Sequence, residues 1–103
     1  MINKTNIVET VMERLKKIPI GYYLDLRTYK RNRSIIIIKV TEDDFTIIED
    51  GYFKERFQLK SEKLKKLLNT LLRKEFPRSH KISLYVMGRY TEKEAQNTSR
   101  KVL

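Results

Sequence analysis

Four consecutive isoleucines, Ile35 to Ile38, constrain the fold more than any other feature of the sequence. They lie in the segment 34–41, which is rich in β-branched residues that favour extended backbone. Neighbouring side chains of a strand point to opposite faces, so an unbroken apolar run predicts a strand covered on both faces, or nearly so. The rest of the fold has to be arranged around this strand.

Segments on both sides of the isoleucines have apolar residues at every second position, which is typical of half-buried strands. The predicted strands are 20–29, 34–41, 45–49 and 52–60, joined by turns at 30–33, 42–44 and 50–51. Asp50-Gly51 predicts a type I′ hairpin turn, which needs positive φ at both central residues. Strands this close in sequence favour an antiparallel meander. A fifth strand is predicted from Ile82 to about Gly88.

Three helices are predicted from helical spacing and end signals. Asn6 is expected to cap the first helix with Glu9 in a capping box, and Pro19 stops it. Ser61 is expected to cap a second helix that ends at Pro77. A third capping box at 91–94 opens a C-terminal helix with almost nothing apolar to bury, so residues 91–103 are expected to fray or to dock on a partner.

The predicted fold class is therefore α+β in a single domain spanning residues 1–103. Its order is an N-terminal helix, a four-stranded antiparallel meander, a helix, a fifth strand and a short C-terminal helix. The helices are expected on one face of the sheet, which leaves the other face open.

Composition excludes several classes of protein. The chain has no cysteine, so disulfides, thiolate catalysis and zinc sites built on cysteine are ruled out. No apolar run approaches the roughly 18 residues that span a bilayer, so no membrane association is expected. The N-terminal segment is amphipathic and does not resemble a signal peptide. A cytoplasmic protein is expected.

The net charge of +10 predicts a polyanionic partner, because such a field concentrates anions and speeds their encounter. The charge is regional. Residues 21–50 carry five basic and six acidic side chains, whereas residues 51–103 carry fourteen basic and five acidic ones. This distribution favours a directed basic patch from the last strand of the meander onward.

No pattern in the sequence predicts catalysis, so a non-catalytic protein without cofactor or metal is favoured over an enzyme. His80 is the single histidine, and one histidine cannot build a His-based metal site without carboxylate help. The acidic turn 42–44 followed by Gln58-Leu59-Lys60 resembles the acidic-then-Gln-x-Lys pattern of restriction-like nucleases. Acid-rich turns between strands are routine, however, and the turn interpretation is favoured.

Tyrosines and cations alternate on the strand face that the helices are expected to leave open. Aromatic rings among Arg and Lys suit single-stranded DNA or RNA, since the rings stack on bases and the cations follow phosphates. The predicted nucleic-acid-binding residues are Tyr23, Arg27, Tyr29, Lys30, Arg31, Arg33, Tyr52, Lys54, Arg56, Tyr85 and Arg89.

Two alternatives stay open on the sequence alone. The first is a protein-interaction module or complex subunit with an acidic partner, or a homodimer, formed through a strand edge or the C-terminal helix. The second is a small metal-independent ribonuclease of the toxin type. Its candidate residues are Arg27, Tyr29, Arg56, His80 and Tyr85.

Overall fold

The computed structural model describes residues 2–28, 33–51, 54–77 and 81–90. These residues form an antiparallel sheet of six strands and two helices, which confirms the α+β class. The elements are β1 (Ile2–Asn3), α1 (Ile7–Lys17), β2 (Tyr22–Arg27), β3 (Ser34–Lys39), β4 (Asp44–Asp50), β5 (Lys54–Lys60), α2 (Ser61–Glu75) and β6 (Lys81–Arg89). The C-terminal helix predicted within 91–103 lies outside the described residues.

The strand order in the sheet is β1-β6-β2-β3-β4-β5. Strands β2 to β5 are neighbours in chain order, joined by antiparallel pairings. After α2 the chain returns to the far side of the meander, where β6 pairs with β2 and β1 adds two residues beside β6. The prediction of five strands missed β1, because two residues are too short to show an alternating pattern.

One face of the sheet, the helix face, packs against α1 and α2 to form the core. Leu24, Ile37 and Ile47 lie side by side on neighbouring strands and are fully buried. From the helices, Ile7, Val11, Leu15, Leu64, Leu68, Leu71 and Phe76 join the same cluster. Burying each such side chain contributes roughly 1.5 to 3 kcal/mol. This layer fixes which strand residues point away from the helices.

The helix starts differ from the predicted capping patterns. Asn6 occupies the N-cap position of α1, but its side chain makes no capping hydrogen bond. Ser61 is the first residue of α2 and not its N-cap, which is Lys60. The Ser61 hydroxyl donates instead to Asp43 Oδ1. Ser61 therefore ties α2 to the turn before β4.

Lysine and arginine side chains donate hydrogen bonds at the C-terminal ends of both described helices, where backbone carbonyls have no helical partner. The Nζ atom of Lys39 is buried and donates to Ile18 O at 3.0 Å, just after α1. At the end of α2, Lys4 Nζ donates to Phe76 O at 2.7 Å and Arg33 Nη1 donates to Glu75 O at 2.8 Å. Part of the positive charge therefore holds the fold together.

The β4–β5 turn differs from the predicted type I′ hairpin. Asp50 belongs to β4 and pairs with Lys54, so Gly51 begins a three-residue connection, and Gly51 does not have positive φ. A Cβ on Gly51 would lie 2.8 Å from Glu75 Cδ and 3.1 Å from Arg33 Cγ. The glycine leaves room here for the side chains of Glu75 and Arg33. Gly21, at φ +93°, instead uses the conformational freedom of glycine.

The carboxyl groups of Glu49 and Glu75 are buried beside this turn. Lys74 Nζ lies 3.6 Å from Glu49 Oε1. The pKa of Glu49 is raised to about 7, mainly by burial and then by the adjoining Glu75 carboxyl. No pattern in the sequence indicates this buried pair, since acidic residues near turns and helix ends are usually exposed.

Candidate nucleic-acid interface

The sheet face that points away from α1 and α2, here called the outer face, is built from the alternate residues of β2 to β6. One row crosses five strands through the register pairs of β6, β2, β3, β4 and β5. In order, its members are Tyr85, Asp25, Ile36, Ile48 and Arg56. Four strand spacings separate its ends by about 19 Å. An aromatic ring and a guanidinium therefore mark opposite sides of one surface.

Two further rows flank this one on the outer face. On one side, Arg27, Ser34, Asp50 and Lys54 are register partners across β2 to β5. On the other side, Tyr23, Ile38, Thr46 and Gln58 are partners in the same way. The structure thus brings five predicted site residues to one face, namely Tyr23, Arg27, Lys54, Arg56 and Tyr85.

Six predicted site residues are not placed on this face. Tyr29, Lys30, Arg31 and Tyr52 lie outside the described residues. Arg33 is in phase with Ile35 on the helix face, where it donates to the end of α2. The expectation that Arg33 extends the outer face is therefore corrected, because its guanidinium donates to the Glu75 carbonyl at the end of α2.

Arg89 is the other correction. The pairing of β2 with β6 shifts between Tyr22 and Leu24, whose partners are Arg89 and Val86. A bulge of this kind puts one extra residue into β6 and reverses the alternation beyond it. Arg89 therefore shares the helix face with Tyr22, which packs against the core. Gly88 in the strand was the one sequence signal for such a bulge.

The same bulge turns Tyr90, which the sequence analysis did not select, toward Tyr23. Their rings meet edge to face, with centroids 5.1 Å apart and planes at 85°. The backbone N–H of Tyr90 donates to Gly21 O at 2.8 Å, which holds this end of the chain against β2. The outer face therefore carries the rings of Tyr23, Tyr85 and Tyr90.

Exposure differs across the outer face. Lys54 and Arg56 are exposed on β5, while Tyr23 and Tyr85 are half-buried. Ile36 and Ile48, in the centre, are also half-buried. The surface is consequently apolar in the middle, aromatic toward β6 and cationic along β5.

Asp25 is 3% exposed and sits between Tyr85 and Ile36. Burial raises the pKa of its carboxyl, and Arg27 opposes this effect. Because Arg27 is paired with this carboxylate, its charge is largely cancelled locally. Lys54 and Arg56 are the exposed cations of the face.

The acidic turn before β4 is held by local contacts. Thr41 Oγ1 lies 2.9 Å from Asp44 Oδ2, and Lys60 Nζ lies 3.2 Å from Asp44 Oδ1. Hydrogen bonds from Thr41 and then from Lys60 lower the pKa of Asp44. Among the described residues, no group of three His, Cys, Asp or Glu side chains is arranged to hold a metal ion. The turn interpretation accounts for these contacts.

The set of residues expected for a ribonuclease is only partly described. Arg27, Arg56 and Tyr85 share the outer face, whereas Tyr29 and His80 lie outside the described residues.

Within 2–28, 33–51, 54–77 and 81–90, no helix is long and apolar enough to cross a membrane.

Comparison of the chain with models of protein families, with curated proteins and with solved structures finds no match.

Proposed function

We propose that this protein binds single-stranded nucleic acid, DNA or RNA, on the outer face of its sheet, without catalysing a reaction. The observation that carries the proposal is the row from Tyr85 to Arg56, which joins an aromatic ring to an exposed cation across an apolar centre. The net charge of +10 supports an anionic ligand.

Each of the three zones of the face contacts a different part of the ligand. Bases stack on tyrosine rings with about 1 to 3 kcal/mol each, and this stacking tolerates any base. Lys54 and Arg56 contact phosphates along β5, while Ile36 and Ile48 provide an apolar floor for sugars and base edges. The bound strand crosses the sheet, with phosphates over β5 and at least one base over Tyr85.

Single-stranded ligands fit this surface better than duplexes. Rings that lie half-buried in a sheet offer their exposed surface only to unpaired bases, because bases inside a duplex are already stacked. Phosphate contacts by two cations also contribute only modestly to the binding free energy, so stacking on the tyrosine rings has to supply the rest.

The proposal is tested by fluorescence anisotropy with a labelled dT decamer and a labelled rU decamer. Binding through two phosphates should weaken roughly 25-fold between about 20 mM and about 200 mM salt. Lys54→Gln together with Arg56→Gln should reduce both the affinity and this salt dependence. Lys16→Gln with Lys17→Gln, at the exposed end of α1, is the control of equal net charge. The absence of binding to both decamers at low salt would contradict the proposal.

A further inference from the structure

A groove of about 680 Å³ runs between β5 and α2, separate from the row of tyrosines. Strand β5 is an edge strand of the sheet, and no described strand pairs with its outer edge. The groove lining comprises Arg56, Phe57, Gln58, Leu59, Glu62, Lys63, Lys66, Leu67 and Thr70. The groove therefore combines a sheet edge with the side of a helix.

Four consecutive residues of β5, from Arg56 to Leu59, line the groove. Alternate side chains of a strand point to opposite faces, so consecutive residues can line one groove only where it runs along the strand edge. Main-chain N–H and C=O groups of an edge strand are the template on which another extended chain pairs. The position of the groove is thus the position that an added strand would take.

The helix side of the groove supplies charge. Its α2 residues recur at helical spacing, so they form one stripe beside β5. Lys63 and Lys66 are exposed on this stripe, and together with Arg56 they outnumber the single carboxylate of Glu62. The groove is therefore positive overall.

The floor of the groove is apolar. Phe57, Leu59 and Leu67 are half-buried and pack against the core cluster while still lining the groove. Phe57 and Leu59 are two residues apart, which matches the spacing of side chains on one face of a neighbouring strand. Such a floor accepts alternate apolar side chains of an extended chain.

We propose that this groove binds an extended, acidic peptide segment of a partner protein, which pairs with the outer edge of β5. Its alternate apolar side chains contact Phe57, Leu59 and Leu67, and its carboxylates contact Lys63 and Lys66. Main-chain pairing gives affinity and the side-chain contacts give specificity, as in other cases of strand addition. The acidic character follows from charge complementarity with the two lysines.

The features of the groove favour a peptide over nucleic acid. An oligonucleotide cannot pair with the main chain of a strand edge, whereas an extended peptide can. The tyrosines on which bases stack lie on the outer face. Arg56 contributes to both surfaces, so Lys63 and Lys66 are the residues that separate this inference from the proposed function.

The test is an NMR titration of the ¹⁵N-labelled protein with a blocked decapeptide of alternating valine and glutamate. The peptide of alternating valine and lysine is the charge-inverted probe. Binding of the acidic peptide should shift and protect amides of 54–60 and shift those of 62–70. Lys63→Glu with Lys66→Glu should weaken this binding at least about tenfold, whereas Lys16→Glu with Lys17→Glu, of equal net charge, should leave it within about twofold.

Several results would overturn the inference. One is the absence of shifts at about 1 mM acidic peptide, a concentration at which even weak binding is visible. The others are equally tight binding of the lysine peptide and amide shifts that are confined to the outer face. Displacement of the peptide from the groove by a dT decamer, with shifts at 62–70, would assign the groove to nucleic acid instead. Peptide binding in a protein that binds neither decamer would contradict the proposed function and leave this inference standing.

Discussion

The guanidinium of Arg27 binds the carboxylate of Asp25, with Nε and Nη2 each 2.9 Å from Oδ2. The two residues are separated by one position on β2, so both point to the outer face. Asp25 is nearly inaccessible, whereas the Arg27 side chain is 36% exposed. A carboxylate thus restrains a cation on the surface that we propose for nucleic acid.

Asp25→Asn should strengthen binding of the dT decamer by about three- to tenfold at low salt, because Arg27 then offers its charge to a phosphate. Fluorescence anisotropy with wild type and variant measures this change. The variant should remain folded, since Asp25 Oδ1 is buried without a hydrogen-bond partner among the described residues and burial already raises the pKa of the carboxyl. Unchanged or weaker affinity of the folded variant would contradict the role given to this pair.

Tyr85→Ala should weaken binding of the dT decamer by roughly 5- to 150-fold, the effect of losing about 1 to 3 kcal/mol of stacking. Tyr85→Phe keeps the ring and should stay within about twofold of wild type. Both affinities are measured by anisotropy, with circular dichroism to check the fold. Equal losses in the two variants would show that the hydroxyl, and not the ring, supports binding.

Gly51→Ala should lower the free energy of unfolding by about 1 to 3 kcal/mol, since the added methyl group meets the buried Glu75 carboxyl. The matched control is Gly88→Ala, whose Cβ would have no atom within 4 Å. Its expected change is within about 0.5 kcal/mol. Denaturant unfolding measures both variants, and equal stability of the two would remove the packing role assigned to Gly51.

The free energy of unfolding should fall as the pH rises from about 4.5 to about 7. Glu49 has a higher pKa in the folded than in the unfolded protein, so the folded state binds its proton more tightly and loses stability when that proton leaves. The groups facing it are Glu75 and Lys74 of α2 and Glu55 of β5.

Glu49→Gln keeps the shape of the protonated side chain and should flatten this pH dependence. At pH 8 it should stabilise the protein by roughly 1 to 3 kcal/mol relative to wild type. Urea unfolding at a series of pH values measures the effect. A variant with the same pH profile as wild type would show that Glu49 is not the group responsible.

Local alternation predicted much of the sheet and of the outer face. The β-branched run at Ile35 to Ile38 does form the central strand β3, and the period-two pattern correctly put Tyr23, Arg27 and Tyr85 opposite the helices. Such patterns depend on neighbours within one strand, where the direction of every side chain is fixed by backbone geometry.

Features that depend on distant contacts were missed. The bulge that redirects Arg89 and Tyr90 arises from the pairing of β6 with β2, which lies far away in sequence. Arg33 and Lys39 donate to backbone carbonyls at the ends of α2 and α1, which lie far from them in sequence. A count of charges cannot separate cations that stabilise the fold from cations that are left for a partner.

The most direct test of the central claim is an NMR titration of the protein with a dT decamer at low salt. We expect the amide shifts to concentrate on outer-face residues of β2 to β6, around Tyr23, Ile36, Ile48, Arg56 and Tyr85, and to diminish as salt is added. Absence of shifts, or shifts confined to α1 and α2 with the outer face unaffected, would contradict it.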